Sequence, residues 1–459
     1  MKKLIIIVLS ILSTSVFGQV NYKYYSRAFV EQDLNYAFEK LTSIHPLFLD
    51  KNELLHYQNQ YLEVKEAIKD SMTQNEVYLL LAHLFASLND GHTGVLVPTD
   101  QRVQYSKAGG KAFPFFVNIA DDSIYVSFYC GNDTSIFKGS EQILEINRID
   151  ATKMVHDMER LFGGESTAIK QKEIANKFRF LIWMLYGFEG NYELTIKNNQ
   201  HKIREITVPG ITGAEFMKNV KRMPKTNHKN YALSTNRKNE TAVMKIGSFG
   251  DLNGFCEFAD SAFTEIKESN IKNLVIDIRN NGGGRSIVVD SLLNYLTDKA
   301  YSQYNEIETR ISSELKEHYK ERYPARFDWI NSFSIDDLIV SRPDLTKPQN
   351  KNLRFNGNLF LLTNKATYSA AATFAGVFRE LKLGTIIGEE TGGTISYYGD
   401  FWFLKTPITG ITFYVSPKCF VQFGGTEYNR GVIPDYRIPD KADSMMKFAN
   451  KMIRRTTKN

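Results

Sequence analysis

Apolar residues are spaced differently in successive parts of this chain. Over about 25–88 they recur at helical intervals, and the last of these stretches predicts a buried helix. Residues 89–91, Asn-Asp-Gly, then form a turn signal that delivers His92 into a loop. Over about 113–209 short apolar runs predict strands, with one helix near 151–161. The first half therefore predicts a helical region followed by a small β-rich module.

The second half alternates between predicted strands and helices. A polar stretch at 220–238, rich in lysine, arginine and asparagine, is typical of a linker. After it, 242–246 and 274–278 are apolar strands on either side of an amphipathic helix, which predicts a parallel βαβ unit. The alternation is interrupted by a charged insertion at 301–352. Such an insertion either forms a lid or a contact surface, or is a surface segment without a function of its own.

The length of 459 residues exceeds what one hydrophobic core usually serves, so we expect a multidomain α/β protein. The expected boundaries are a signal peptide at 1–18, an N-terminal helical region carrying the His92 loop at 19–105, a β-rich module at 106–215, a linker at 216–240, a βαβ core at 241–440 with the insertion at 301–352, and a C-terminal tail at 441–459.

The N-terminus has the composition of an export signal. Lys2 and Lys3 precede an apolar run at 4–12, and cleavage is expected after Gly18, a small residue of the kind that signal peptidases need. No cysteine follows that would carry a lipid anchor. The run is shorter than the roughly 20 apolar residues of a membrane-spanning helix. The mature chain of 441 residues (459 minus 18) is therefore expected in the periplasm or outside the cell, without an integral membrane segment.

Charge and cysteine content exclude several function classes. The net charge of +6 becomes +4 without the two lysines of the signal, and no basic run carries interleaved aromatic residues, so we expect no nucleic-acid partner. Cys130, Cys256 and Cys419 are too few and too scattered for a disulfide framework or a zinc site. We expect three buried free thiols, with one disulfide pair as the alternative. We expect no metal and no organic cofactor.

Two loops that follow predicted strands carry residues suited to acyl transfer. Residues 277–284, Asp-Ile-Arg-Asn-Asn-Gly-Gly-Gly, end in glycines whose backbone N–H groups are able to approach developing negative charge. The alternative is a tight strand-to-helix turn. Ser369 lies between a buried strand and an alanine-rich helix, whose N-terminal end favours an alkoxide. The alternative there is a helix N-cap.

These loops resemble those of the C-terminal processing peptidases, also called tail-specific or S41 peptidases. That family's core carries an apolar strand ending in D-x-R-x-N-x-G-G, matched by 277–284, and a later nucleophilic serine opening an alanine-rich helix, matched by Ser369. Residues 430–435, Arg-Gly-Val-Ile-Pro-Asp, resemble its G-V-x-P-D stretch. The resemblance covers most of 241–440 and implies a crotonase/ClpP-like catalytic core. It also implies that 113–209 is a PDZ-like module.

Two branches of the family differ in their general base. One branch uses a lysine after the nucleophile, but Thr394 stands at that position in this chain. The branch typified by the tricorn core protease and the interphotoreceptor retinoid-binding protein modules takes a histidine from a D-G-H-T-like loop, which 90–93 matches with His92. Its carboxylate lies shortly before G-V-x-P-D, where Glu427 stands. Histidine suits the role because its ordinary pKa of about 6.5 is close to neutral pH.

The resemblance implies peptide-bond hydrolysis through an acyl-enzyme. Ser369 attacks, His92 shuttles the proton, Glu427 orients His92, and the backbone N–H groups of Gly283 and Ala370 bind the oxyanion. The expected partner is a peptide or an unfolded protein, cut internally or near its carboxy terminus, and the oligomeric state is left open.

Several alternatives remain open. The same scaffold suits a non-catalytic protein that binds peptides or apolar ligands, or an esterase that uses the same residues. For the orienting carboxylate the alternatives are Asp435, Glu389 and Glu390, and for the base they are Lys365 and Lys418.

Overall fold

The computed structural model describes residues 22–133, 135–223, 230–349, 352–422, 430–441 and 443–456. The predicted signal peptide at 1–18 and Glu427 lie outside the described residues. The chain divides into two compact units. The first unit consists of the residues up to Ser43, Leu47–Lys225 and Phe401–Val415, and the second of Ile44–Pro46, Thr226–Asp400 and Ser416–Asn459.

Helices and strands occur in both units and are numbered here in chain order. The helices are α1 Arg27–Ile44, α2 Lys51–Glu66, α3 Gln74–Ala86, α4 Asp100–Lys107, α5 Ala151–Glu159, α6 Thr167–Tyr186, α7 Gly213–Asn219, α8 Leu252–Glu268, α9 Ser286–Leu293, α10 Ser313–Arg322, α11 Phe327–Asn331, α12 Ala370–Glu380 and α13 Ser444–Thr456. The strands are β1 Tyr24–Ser26, β2 Ser71–Thr73, β3 Gly94–Val95, β4 Phe115–Ala120, β5 Ser123–Tyr129, β6 Gln142–Ile146, β7 Ile149–Asp150, β8 Asn191–Lys197, β9 Ile203–Pro209, β10 Tyr231–Asn236, β11 Thr241–Ile246, β12 Asn273–Asp277, β13 Glu306–Arg310, β14 Leu338–Ser341, β15 Asn358–Thr363, β16 Thr385–Gly388, β17 Ser396–Gly399, β18 Trp402–Lys405, β19 Thr412–Val415, β20 Lys418–Val421 and β21 Tyr436–Arg437.

The N-terminal part of the first unit is mainly helical, as its apolar spacing predicts. α3 begins at a capping box, in which the hydroxyl of Thr73 accepts the N–H of Glu76 and the carboxylate of Glu76 accepts the N–H of Thr73. Nearly all apolar residues of α3 are buried, and the hydroxyl of Tyr57 in α2 donates to the Leu84 carbonyl at 2.8 Å. The helix ends at Ala86, just before the loop that carries His92.

The module that follows is an antiparallel sheet in the order β4-β5-β6-β8-β9, with β7 paired to β6. Phe113 lies in its core, with ring centroids 5.0 Å from Phe115, 5.7 Å from Phe178 and 5.0 Å from Tyr192. The helix predicted near 151–161 corresponds to α5. The longer α6 was missed, because lysines and arginine interrupt its apolar residues and no single apolar stripe stands out.

A hairpin of β18 and β19 completes the first unit by pairing with β3. The carboxylate of Asp33 accepts the N–H groups of Ile408 at 2.9 Å and Thr409 at 2.7 Å, which fixes the turn of the hairpin. Both strands of the hairpin fall within the range 241–440 that was expected to form the βαβ core. Their strand partner β3 is two residues long and far away in sequence, so the pairing leaves no local signal.

The second unit is built on a sheet in the order β10-β11-β12-β15-β16-β21. β11, β12, β15, β16 and β21 are parallel, as the βαβ pattern predicts, and β10 pairs antiparallel with β11. The stretch predicted as linker at 216–240 thus contains a strand of the sheet. Side chains of α8, α9 and α12 share one hydrophobic core with this sheet, and those of α13 share a second one.

The insertion at 301–352 contributes to a second, antiparallel sheet in the order β14-β13-β20-β17. Arg310 of β13 is buried, pairs with Asp336 at 2.7 Å and donates to the carbonyl of His45 at 2.9 Å. The insertion is therefore joined to the second unit through β13 and Arg310, while most of its residues from 320 to 349 are exposed.

Two further expectations concern helices and thiols. Among the described residues, none of the helices combines the length and the apolar character that crossing a membrane requires. Cys130, Cys256 and Cys419 are free thiols, as expected, although Cys256 is half-buried rather than buried.

Candidate active site

Ser369 occupies a sharp turn between β15 and α12 in the second unit. β15 is parallel to β12, so the turn lies at the carboxyl edge of the sheet, where open α/β folds bind ligands. Ser369 has φ 52° and ψ −128°, and its side chain makes no capping hydrogen bond to α12. A non-glycine residue held in such a conformation costs of order 1–3 kcal/mol. The N-cap explanation is therefore not supported, and the geometry is that of a strained strand–turn–helix serine.

Two glycines allow other backbone segments to approach this turn. A Cβ on Gly283 would lie 2.7 Å from the Cβ of Ser369 and 2.9 Å from the nitrogen of Ala370, and Gly283 has φ 97°. A Cβ on Gly393 would lie 2.9 Å from the nitrogen of Ser369. Only glycine fits such close approaches. The structure thus brings Gly283 and Ala370, the two predicted oxyanion residues, beside the predicted nucleophile.

The N–H groups of these two residues have different surroundings. Ala370 is the first residue of α12, so its N–H has no acceptor within the helix. The N–H of Gly283 donates to Oδ1 of Asn281 at 2.8 Å, and the Asn281 amide donates to the carbonyl of Ile246 at 3.1 Å. The surroundings of Gly283 were not expected, because the N–H that was predicted to bind the oxyanion already donates to Asn281 within its own loop.

The charged residues of the glycine loop hold it against its neighbours. Arg279 pairs with Asp277 (Nη2 to Oδ2, 2.7 Å) and with Asp440 (Nη1 to Oδ1, 2.8 Å). Asn364, in the loop that leads to Ser369, donates to Asp440 at 2.9 Å and accepts the N–H of Asn280 at 2.9 Å. The hydrogen bonds to Asp277 raise the pKa of Arg279. These residues, called the brace below, connect the loops after β12 and β15.

His92 lies in the first unit, in the loop between α3 and β3. Its backbone N–H donates to Oδ1 of Asp90 at 2.8 Å, and both side chains are buried. Burial lowers the pKa of His92, while the charge of Asp90 raises it, and the net direction is downward. A lowered pKa keeps the imidazole neutral at neutral pH, which is the form that a general base needs.

A second carboxylate, missed by the sequence analysis, faces the same imidazole. Nδ1 of His92 is 3.9 Å from Oδ1 of Asp90 and 3.9 Å from Oε1 of Glu165. Glu165 lies in the loop between α5 and α6, 73 residues after His92 (165 minus 92). No motif marks it, and the Gly-Gly pair before it is the only signal that sequence reasoning had.

The alternative carboxylates of the second unit hold backbone groups. Asp435 accepts a backbone N–H of β16 at 2.8 Å, Glu390 accepts one in the stretch 430–431 at 3.1 Å, and Glu389 accepts one at 3.5 Å. Glu427 lies outside the described residues, so its role stays a prediction.

The two lysines considered as alternative bases, and the threonine at the position of the other branch's lysine, lie in three different surroundings. Lys418 forms an ion pair with Asp400, and Lys365 is exposed on the loop before Ser369. Thr394, at the position of the other branch's lysine, is buried and donates to the carbonyl of Ser396 at 2.6 Å.

Two groups of side chains in the described part of the chain have the spacing of metal ligands. Asp90, His92 and Glu165 offer ligand atoms within 4.8 Å of one another, and so do the residues of a more exposed group on the β-rich module, Asp122, His156 and Glu159. Carboxylates next to an imidazole occur commonly without an ion, and we assign a metal to neither group.

Comparisons with known proteins relate part of the chain to one family and most of it to solved structures of similar fold. Residues 240–438 match Peptidase family S41. The tail-specific protease of Haemophilus influenzae is 24% identical over 212 residues, which are 44% of this chain and 25% of that protein, so the chain spans only about a quarter of the length of this relative. Crystal structures of CPAF have the same fold at 16% identity. Its complex with lactacystin has a TM-score of 0.63 over 94% of this chain and 97% of that one, and a point mutant has 0.68 over 94% and 96%.

Proposed function

Because residues 240–438 match peptidase family S41, we propose that this protein hydrolyses peptide bonds with Ser369 as the nucleophile. The backbone of Ser369 is the observation that supports this best. The residue holds φ 52° at the start of α12, with Gly283 packed against its Cβ. A serine with a purely structural role gains nothing from this conformation, because glycine would adopt it without strain.

The reaction proceeds through an acyl-enzyme. Ser369 Oγ attacks the carbonyl carbon of the scissile bond while His92 takes the hydroxyl proton. The tetrahedral intermediate collapses, the C–N bond breaks, and His92 returns the proton to the leaving amine. Water then attacks the ester with His92 again as base, which releases the acid and regenerates Ser369. The lowered pKa of His92 supports this role, because the base must be neutral before each attack.

The oxyanion is bound by the N–H groups of Ala370 and Gly283. In the resting chain the Gly283 N–H is held by Asn281 Oδ1. A charged oxygen is a stronger acceptor than a neutral amide, so the developing oxyanion competes for this donor when the intermediate forms. Asn281 then satisfies and orients a buried N–H while the site is empty.

Glu427 is proposed to orient His92. It precedes the 430–435 stretch, where the resembled branch carries its carboxylate, and the described alternatives Asp435, Glu389 and Glu390 each already hold a backbone N–H.

The finer architecture belongs to the same proposal. We infer a crotonase/ClpP-like core for the second unit, and a PDZ-like module for 106–215 that binds extended peptides by strand addition. β9 is an edge strand with an exposed outer surface, Ile203 included, which supports this role. The substrate is then a peptide or an unfolded protein, and the signal sequence at 1–18 would export the enzyme. The N-terminal mass of the protein from its native host tests export, since cleavage after Gly18 leaves Gln19 first.

A digest of a peptide library, compared with hydrolysis of simple p-nitrophenyl esters, tests the reaction. A peptidase cleaves library peptides, and Ser369→Ala removes that cleavage. Turnover of the esters with intact peptides would favour an esterase. Binding of peptides without turnover of either would favour a non-catalytic binding protein.

A further inference from the structure

The loop that precedes α6 lies directly on the loop that carries His92. A Cβ on Gly163 would lie 2.3 Å from the carbonyl oxygen of Asp90 and 3.2 Å from that of Thr93. Gly164 follows with φ 154°, a conformation that residues with a side chain rarely adopt. Two glycines are therefore needed to bring the next residue, Glu165, to the histidine.

Lys170 fastens the first turn of α6 to the same place. Its Nζ donates to Oδ1 of Asn89, at the start of the His92 loop, at 2.7 Å. Burial lowers the pKa of Lys170, and the charges of Glu159 and Glu165 oppose that change. Glu165 also stands just before the N-terminus of α6, where the helix dipole favours a carboxylate. The segment that carries Glu165 is thus held against the His92 loop on both sides, by Gly163 before it and by Lys170 of α6 after it.

The two carboxylates lie at the same distance from Nδ1 of His92 but come from different loops. Oδ1 of Asp90, the oxygen 3.9 Å from Nδ1, is occupied by the backbone N–H of His92 and shapes the loop. Oε1 of Glu165 is at the same distance from Nδ1, and its side chain is only 12% exposed. At 3.9 Å the contact is an ion-pair distance, about 1 Å longer than a hydrogen bond, and catalytic contacts of this kind often tighten once substrate binds.

We propose that Glu165 is a positioning residue that orients the imidazole of His92 through Nδ1 and leaves Nε2 for the serine proton. This inference rests on the proposed role of His92 as the base, and it adds a carboxylate from the β-rich module to the one predicted at Glu427.

Asp90 in its own loop and Glu165 before α6 face this imidazole directly, Lys170 on α6 donates to Asn89 in the same loop, and Tyr414 on β19 lies within the field of Asp90, Glu165 and Glu173. Burial raises the pKa of Tyr414, and the charges of Asp90, Glu173 and Glu165 raise it further, so the phenol stays neutral. Removing the charge of Glu165 withdraws a group that stabilises the imidazolium. The pKa of His92 in Glu165→Gln should therefore fall, and the acid limb of the pH profile should move to lower pH.

The test is the rate at which a fluorophosphonate labels Ser369, measured against pH and probe concentration. Glu165→Gln should lower the maximal labelling rate about 10- to 100-fold, less than loss of the base itself, with half-saturation changed less than about twofold. Glu165→Asp keeps the charge and should recover part of the rate. Glu66→Gln, which changes an exposed carboxylate at the end of α2, is the control and should leave rate and profile unchanged.

The outcomes separate this inference from the proposed function. Wild-type rate and an unmoved acid limb in Glu165→Gln, with labelling slowed at least about 10²-fold by His92→Ala, would overturn the role of Glu165 alone. Labelling of His92→Ala at the wild-type rate would overturn the base assignment and this inference with it. If Glu165→Gln does not fold, Glu165→Asp decides by its rate, because a folded variant that labels at the full wild-type rate contradicts the proposal. Adding Glu165→Gln to His92→Ala should cost nothing more, whereas an additive loss would show a role unconnected with His92.

Discussion

Ser369 holds a backbone conformation that is unfavourable for its residue type, and its neighbours show how this is tolerated. The N–H of Tyr368 donates to the carbonyl of Asn281 at 2.9 Å, and that of Gly393 donates to the carbonyl of Thr367 at 3.0 Å. Thr367 and Tyr368, the two residues that precede Ser369, are thus hydrogen-bonded to other loops. Strain at one residue persists because hydrogen bonds on the surrounding loops determine its position.

Gly283→Ala should abolish most activity. Its Cβ would meet Ser369, Tyr368 and Ala370 at 2.7, 2.8 and 2.9 Å, so the turn must move and the oxyanion donors with it. We expect kcat to fall about 10²- to 10³-fold, the usual cost of losing one oxyanion donor. Gly139→Ala is the matched control, because Gly139 also has positive φ (84°) but has open space around it. Equal activity losses in both variants would contradict the assignment.

Asp90→Asn should shift the pH profile. The amide oxygen still accepts the N–H of His92, so the loop keeps its shape, but the charge that raises the pKa of His92 is lost. The pKa of His92 then falls, and kcat/KM begins to rise at a lower pH than in the wild type. An acid limb that stays in place or moves to higher pH would show that another group titrates.

Sequence reasoning selected candidate residues that stand in recognisable local stretches, and it left out contacts that depend on packing between distant segments. Ser369, Gly283 and His92 each sit in a short stretch whose composition indicates a turn after a strand or helix. The hydrogen bond from Gly283 to Asn281 and the approach of Glu165 to His92 depend on side-chain direction and on packing between distant segments. Neither follows from spacing along the chain.

At the scale of elements, the brace makes one rigid edge from the loops after β12 and β15. Asp277→Ala leaves Arg279 without its bidentate partner, at side chains only 8% and 18% exposed. We expect a loss of about 1.5–3 kcal/mol in the free energy of unfolding of the second unit, measured by chemical denaturation. Glu240→Gln, which breaks an exposed pair with Lys272, should cost well under 1 kcal/mol. Similar losses in the two variants would show that the brace adds no stability beyond that of a surface pair.

β9 allows a test of the module as a peptide-binding surface. Deleting 106–215 would also remove Glu165, so a change at the sheet edge is cleaner. Glu205→Pro removes a backbone N–H from β9 and should raise KM for long peptides more than for short ones, with kcat retained. Glu205→Ala keeps the N–H and should behave as wild type. Circular dichroism checks the fold, and equal KM changes for both peptide lengths would make the module a spacer.

Elements were predicted where one pattern continued for long enough. The parallel strands predicted at 242–246 and 274–278 agree with β11 and β12, because each contains a short, mostly apolar run that is buried in the sheet. β10 was hidden in a polar stretch, since an edge strand that is partly exposed carries few apolar residues. The hairpin of β18 and β19 was predicted to belong to the core at 241–440 because its neighbours in sequence do. Its strand β19 instead pairs with β3 of the first unit.

For the whole molecule, the sequence predicted a multidomain α/β protein that resembles peptidase family S41; the fold is mixed α/β, and residues 240–438 match that family. The first unit supplies a buried histidine flanked by carboxylates, and the second supplies a strained serine beside backbone donors.

The most direct test of that chemistry is covalent labelling of the folded wild-type protein with a fluorophosphonate, mapped by tandem mass spectrometry and timed beside His92→Ala. The account predicts a single adduct on Ser369 that forms about 10²- to 10⁴-fold more slowly when His92 is removed. A folded wild-type protein without an adduct, or an adduct that forms equally fast in both proteins, would contradict it.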